Sequence, residues 1–294
     1  MPSLREVKDR IGSVRSTLKI TSAMKLVASS KLRKAQRAIE NLRPYAEALD
    51  SMLAAAGSVS ENHGRPRIPE TAPASATPPA AATVILAFAG NTSMCGAFNA
   101  NAIKRTIQEI DARQGTVEVW AFGRKMAEAL RKAGRPAARD YSHLIGNPEF
   151  DAVAAISTEL QQMAAQGRIG GVEMVYNHFV STGKQVVVCE SFLGGWEIAD
   201  QVGNDGQDAG NEIDFIIEPS KADLLEALRP QVMNMRLYAA LLDSVASEHA
   251  ARMIAMQTAT DNAEELLSEL TLEYNKGRQQ KITAEILDLV AGEA

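Results

Sequence analysis

The sequence predicts an α/β domain spliced between two very long helices that wrap each other. From Leu4 to Ala56 only Gly12 and Pro44 interrupt a helical pattern, and from Gln231 to Val290 only Gly277 does. Between Thr83 and Ile217 strand and helix patterns alternate instead. At about 1.5 Å per residue the two ends would be rods of about 80 and 90 Å, and helices in proteins owe most of their stability to packing. Each end therefore needs a partner along its length, and the other end is the nearest one. That layout suits a part that transmits force or position better than one that encloses a substrate.

The first rod shows its seam in Leu4, Val7, Ile11, Val14 and Leu18, spaced alternately by three and four residues as in a heptad. The pattern then drifts through Met24, Val27, Leu32, Ala35, Ile39 and Leu42. Pro44 is expected to kink or end its first part, and Gly57 to stop it. Glu61 to Ala82 holds Pro66, Pro69, Pro73, Pro78 and Pro79 among small side chains, the composition of an extended linker.

In the middle, Thr83–Ala89 reads as a strand buried on both faces, followed by a helix over Ala97–Ala112, a strand over Val117–Phe122 and a helix over Arg124–Lys132. Pro148 and Glu149 open a further helix to about Ala165. Gly171–Val180 and Lys184–Phe192 are strands joined at Ser181-Thr182-Gly183, a hairpin signal. Asp200–Asn211 reads as a loop and Ile213–Ile217 as a last strand. Ser220 and Asp223 have the spacing of a capping box for a short helix, and Pro230 suits the first turn of the long one that follows. The seam of that last helix includes Leu242, Val245, His249, Met253, Met256, Ala263, Leu266, Leu270, Tyr274 and Leu287, with many Ala, Ser and Thr between them.

The chain has 294 residues and a net charge of -5, unevenly spread. Met1–Arg43 carries eleven Lys/Arg against three Asp/Glu, whereas Ser220–Ala294 carries seven against twelve, so the two rods are expected to attract each other. The charged N-terminus has no apolar signal core, and the longest apolar stretch, Pro79–Gly90, is too short to span a bilayer. A cytosolic or peripheral protein is expected. Cys95 and Cys189 do not make a disulfide framework, and His63, His143, His178 and His249 have no metal-ligand spacing.

A nucleotide site in an α/β domain would lie at the loop Gly90–Ala97. That loop has neither G-x-G-x-x-G nor G-K-S/T, so a structural turn is the stronger reading. Cys95 reads as a buried structural thiol before a catalytic one, and Glu264 with Glu265 as a solvated face. The basic run Lys31–Arg37 has no interleaved aromatics, which disfavours nucleic acid. An enzyme with helical arms, or a coiled-coil scaffold, remains an alternative to a force-transmitting part.

Three collinear stretches settle the choice by resemblance. Arg15–Ala28 (Arg-Ser-Thr-Leu-Lys-Ile-Thr-Ser-Ala-Met-Lys-Leu-Val-Ala) with Lys31–Gln36 resembles the N-terminal helix of ATP synthase gamma subunits. Ala246–Met253 (Ala-Ser-Glu-His-Ala-Ala-Arg-Met), Ala259–Ala263 and Tyr274–Ile286 resemble the family's C-terminal helix. The chain departs from the family at Asn91–Asn99, where Asp-Arg-Gly-Leu-Cys-Gly-Gly-Phe-Asn is usual, and at Gly292-Glu293, where Gly-Ala is usual. Its Pro-rich linker is longer than usual, and Asp111–Glu212 offers no redox-active cysteine pair of the plastid kind.

The resemblance implies α/β with a long antiparallel coiled coil: N- and C-terminal helices paired as a shaft, and a central Rossmann-like α/β domain with a β-hairpin. The division expected is 1–57 helix, 58–82 linker, 83–218 α/β domain and 219–294 helix. It implies the central rotor shaft of a proton-translocating ATP synthase, itself without catalytic residues, cofactor or metal. Its implied partners are the alpha and beta subunits, the epsilon subunit and the membrane c-ring, with an inhibitor protein as a further candidate, and neither nucleic acid nor inserted lipid. The implied place is the cytoplasmic face of a bacterial inner membrane. By family matching, the contacts with the alpha/beta sleeve are Met24, Lys25, Arg252, Gln279, Thr283 and Glu285.

Overall fold

The computed structural model describes residues 3–57, 82–113, 115–193 and 220–292. Helix α1 (Leu4–Gly57) leads to strand β1 (Ala82–Phe88), α2 (Phe98–Ala112), β2 (Val117–Phe122) and α3 (Arg124–Lys132). Then come β3 (Arg139–Asp140), α4 (Ser142–Gly146), α5 (Phe150–Ala165), β4 (Ile169–Ser181), β5 (Lys184–Leu193) and α6 (Lys221–Gly292). The expected linker, the loop Asp200–Asn211 and the strand Ile213–Ile217 lie outside the described residues. The two-residue β3 and five-residue α4 carry too few residues for a periodic signal and were not foreseen.

The sheet order is β3-β2-β1-β4-β5. The pairs β1–β2, β1–β4 and β2–β3 are parallel, and β4–β5 is the antiparallel hairpin. Alternate residues of β1 serve opposite faces, as the pleat requires. Val84, Leu86 and Phe88 join Trp120, Phe122, Met174 and Tyr176 in a core covered by α4, α5 and α6. Ile85 and Ala87 join Val119, Ala121 and Val175 in a second core covered by α2 and α3. The apolar run of β1 is thus a strand buried on both sides. Phe88 and Phe122 stack at 4.4 Å between ring centroids.

One contact decides how β2 hands the chain to α3. Gly123 has φ of 120°, and a Cβ there would stand 1.9 Å from the Ala89 carbonyl oxygen. Only glycine can pass so close to a neighbouring strand end.

Both prolines lie inside continuous helices, so Pro44 does not end its helix and Pro230 does not open one. Helix α1 runs through Pro44, and α6 starts at Lys221 with no separate short helix, so Pro230 stands inside it and not in its first turn. A proline inside a helix removes a hydrogen bond and costs about 3 kcal/mol. Beside them Leu49, Leu228, Val232 and Met235 are buried together, with Leu42 and Ala46 against them. Full burial of one such aliphatic side chain contributes about 1.5–3 kcal/mol, so several outweigh one proline. The foreseen cap is present: the Asp223 amide donates to Ser220 Oγ at 3.2 Å. At the other end Ser3 and Glu6 form a reciprocal capping box, at 3.2 and 3.3 Å, that the sequence reading missed.

Gly123→Ala is expected to destabilise the chain by at least about 3 kcal/mol, because backbone must move against backbone. Urea unfolding of the purified variant measures this; a midpoint equal to the parent's would refute the close approach.

Candidate functional site

The helix pair runs antiparallel. The Thr21 and Thr260 hydroxyl oxygens lie 3.0 Å apart, and Tyr45 Oη donates to Gln231 Oε1 at 3.3 Å. A Cβ on Gly277 would stand 3.0 Å from Leu4 Cδ2. Gly277 is therefore a seam position that admits Leu4, not a breaker.

On this register the α1 seam never drifts. Leu4, Val7, Ile11, Val14, Leu18, Thr21, Lys25, Ala28, Leu32, Ala35, Ile39, Leu42, Ala46 and Leu49 alternate by three and four throughout, and every one is buried or half-buried. The expected place of Val27 is corrected: it is 56% exposed, while neighbouring Ala28 is buried. In α6 the seam runs Ala246, His249, Met253, Met256, Thr260, Ala263, Leu267, Leu270, Tyr274 and Gly277. Leu266 is 44% exposed and Leu267 takes its place, and Leu287 is exposed rather than in the seam. Thr21, Lys25, Ala28 and Thr260 carry the stripe with small or polar side chains, which an apolar pattern cannot register.

The expected electrostatic pairing of the rods is also corrected. Among the described residues no ion pair bridges α1 and α6; the α6 pairs, Glu248–Arg252 and Lys281–Glu285, lie within the helix. Burial raises the Glu248 carboxyl, and Lys31 opposes that only in part and at longer range.

Helix α6 fills the crevice where a ligand would sit. Strands β1 and β4 lie side by side where the sheet order reverses, and α/β sheets bind ligands beyond such strand ends. Here Ser247 Oγ donates to the Asn177 carbonyl at 3.0 Å, and Asp243 meets His178 Nδ1. On the other side Arg252 donates to the Ser93 carbonyl and to Glu248. The Glu248 carboxylate lies directly over Gly90: a Cβ there would be 2.8 Å from its carboxyl carbon. Several of the loop's polar groups are taken up within the domain. Gly90 N–H donates to Asn99 Oδ1, Asn91 Nδ2 to the Ser142 carbonyl and Arg124 N–H to Asn91 Oδ1. Cys95 is buried, and burial pushes its thiol up. Cavities of about 660 and 520 Å³ lie along the helix pair, at Leu4–Gly277 and at Leu18–Leu267.

The matched contact residues fall into three groups. Lys25 is a half-buried seam position, and Met24 is half-buried beside it. Gln279, Thr283 and Glu285 are exposed on the stretch of α6 that continues beyond Leu4. Arg252 is 8% exposed and, in the chain on its own, donates to the Ser93 carbonyl and to Glu248. Glu248 was not singled out in the sequence, although its spacing of four from Arg252 is that of a helical ion pair. Among the described residues Glu109, Glu173 and Cys189 are close enough to share a metal, but Arg113 pairs with both carboxylates.

Similarity to known proteins runs the length of the chain. Residues 3–294 match the family described as ATP synthase. The ATP synthase gamma chain of Bacteroides fragilis is 44% identical over 99% of both chains, and that of Flavobacterium johnsoniae 39% over 99% of this chain and 98% of its own. The fold is shared with the rotor of the Euglena gracilis mitochondrial ATP synthase, at TM-score 0.62 and 17% identity, over 95% of this chain and 98% of that one. It is shared also with the central stalk of the Tetrahymena thermophila enzyme, at TM-score 0.53 and 23% identity, over 82% and 99%.

His249 ties the seam to pH. Burial and the nearby Lys31 and Arg252 push it down to about 4, and its Nδ1 has no hydrogen-bond partner among the described residues. The unfolded chain, with the ordinary value of about 6.5, takes up the proton first. Stability from this group is complete above pH 6.5 and falls as pH drops towards 4. Burial raises Asp243 and Glu248, whose contributions run the opposite way, so a difference between chains is needed. His249→Leu is expected to remove a loss of up to about 1.4 kcal/mol per pH unit in that window. Urea unfolding of both chains at pH 7 and pH 5 checks this, and parallel losses would exclude it.

Proposed function

We propose, because this chain belongs to the ATP synthase gamma family, that it is the central rotor shaft of a proton-driven ATP synthase and carries no catalytic residue itself. The observation that supports this best is the filled crevice: the place where an α/β domain would hold a ligand is taken by the chain's own long helix. What is left to the protein is its shape, a stiff two-helix rod continuous with a folded foot. On this reading residues 1–57 and 219–294 are the shaft, 58–82 a linker and 83–218 the foot.

The physics of the rod fits the task. Fourteen seam positions in unbroken heptad alternation bind α1 to α6 over about 70 Å, and α6 continues alone past Leu4. Coiling two helices about each other multiplies their stiffness, and small seam residues keep the rod slim. The α/β foot stands on one side of the rod, so the molecule has no rotational symmetry. A ring of three alpha and three beta subunits around the shaft would meet a different face at each catalytic site. Turning the shaft then biases three distant binding equilibria in sequence, which is coupling between sites by a moving element.

In this proposal proton flow turns the c-ring, the foot rides on it with the epsilon subunit, and the shaft turns within the alpha/beta sleeve. Met24 and Lys25 would touch the sleeve at mid-shaft, and Gln279, Thr283 and Glu285 at its tip. Exposed charges there form weak contacts, about 0–1 kcal/mol each, which break and re-form as the shaft rotates. Among the described residues no helix is long and apolar enough to cross a membrane, which agrees with attachment to the cytoplasmic face of the inner membrane through partners.

Leu18→Pro or Met253→Pro is expected to abolish coupled ATP synthesis, since each places a proline at a half-buried seam position of a rod. Co-purification of the parent chain with alpha and beta subunits, one copy per hexamer, tests the assignment itself. Normal synthesis by assembled proline variants would refute the shaft reading.

A further inference from the structure

We propose that Glu248 and Arg252, set on Gly90 and the Ser93 carbonyl, key helix α6 to the sheet so that the shaft cannot turn within its foot. The proposal rests on the rotor reading. It concerns a different question: how torque leaves the foot.

Between Leu237 and Ala250 helix α6 is held largely by apolar packing, with Leu237, Ala240, Leu241, Ala246 and Ala250 all buried. Small apolar side chains resist separation, but dispersion contacts have no preferred direction and many are small here. They oppose a rotation of the helix about its own axis less sharply than hydrogen bonds, which weaken steeply when bent. The directional contacts come from two flanks. Asp243 and Ser247 engage His178 and the Asn177 carbonyl of β4. Glu248 and Arg252 engage the loop after β1. A helix bonded on two flanks to two adjacent strand ends cannot rotate without breaking one set.

The second flank is the built one. Glu248 is 5% exposed and Arg252 8%, and a charge so deeply buried is stable only with its partner in place. Arg252 spends one branch of its guanidinium on Glu248 and the other on Ser93. Glu248 thereby positions Arg252, and Gly90 gives Glu248 room to do so. A side chain at residue 90 would push against the carboxylate from the sheet side. Glu248→Gln and Gly90→Ala therefore disturb one contact from opposite directions, and neither residue faces a sleeve.

The test uses the whole synthase reconstituted in vesicles, with ATP hydrolysis and ATP-driven proton pumping measured together. Both variants are expected to hydrolyse ATP near the parent rate without load. Protons pumped per ATP against a gradient should fall by about twofold or more, as when a buried pair loses one member. A merely structural role would lower the amount of complex and leave that ratio unchanged. In the purified full-length chain, amides of residues 90–97 and 244–256 should exchange about tenfold faster in both variants. Parent-like pumping ratios in assembled variants overturn the proposal, as do parent-like exchange rates if a variant fails to assemble. A parent chain that never joins alpha and beta subunits would defeat the rotor reading alone, since the exchange experiment still judges the contact.

Discussion

The heptad seam between the two ends of the chain is the constraint on which everything else depends. A helix of 72 residues has no means of holding itself straight in water, and one of 54 residues has little more. Packed in antiparallel register they become one object. The register is set by shape at a few places: Leu4 enters the space left by Gly277, and Thr21 meets Thr260. Shifting one helix by a turn would place a large side chain against Leu4 and part the two hydroxyls. The same packing lets Pro44 and Pro230 stay inside continuous helices, since the Tyr45–Gln231 contact beside them and the buried cluster at Leu49 and Val232 hold both chains through the weakened turns.

The seam also bears on the crevice of the α/β domain. A long helix that must run past the sheet needs a bed, and the ends of β1 and β4 supply one. Residues Val232 to Arg252 are covered on nearly every side, by α1, by the sheet and by α5. Asp243, Ser247 and Arg252 in that stretch bond to β4 and to the loop after β1. The same stretch of α6 that packs on the sheet also occupies the crevice beside β1 and β4.

Charge plays a smaller part than its distribution suggests. The first rod is basic and the last acidic, yet among the described residues no ion pair joins them. The charges that matter are few and internal. Glu248 and Arg252 satisfy each other where water is excluded, and His249 stays neutral because a proton there would be buried beside Lys31 and Arg252.

Much of this was legible in the sequence because it depends on period. Two long helical patterns, a strand buried on both faces, a hairpin and a capped last helix all follow from spacing along the chain, and the family's signature stretches lie on those helices. Spacing fails where the pattern is carried by residues without apolar mass. Thr21, Lys25, Ala28 and Thr260 keep the seam in register, yet they look like interruptions until a second helix is laid against them. Nor could spacing show that Arg252 turns inward or that Gly90 is bare for the sake of Glu248. Those contacts join residues far apart in the chain, and only the tertiary structure decides them, because which groups share a dry pocket depends on how the rod lies on the sheet.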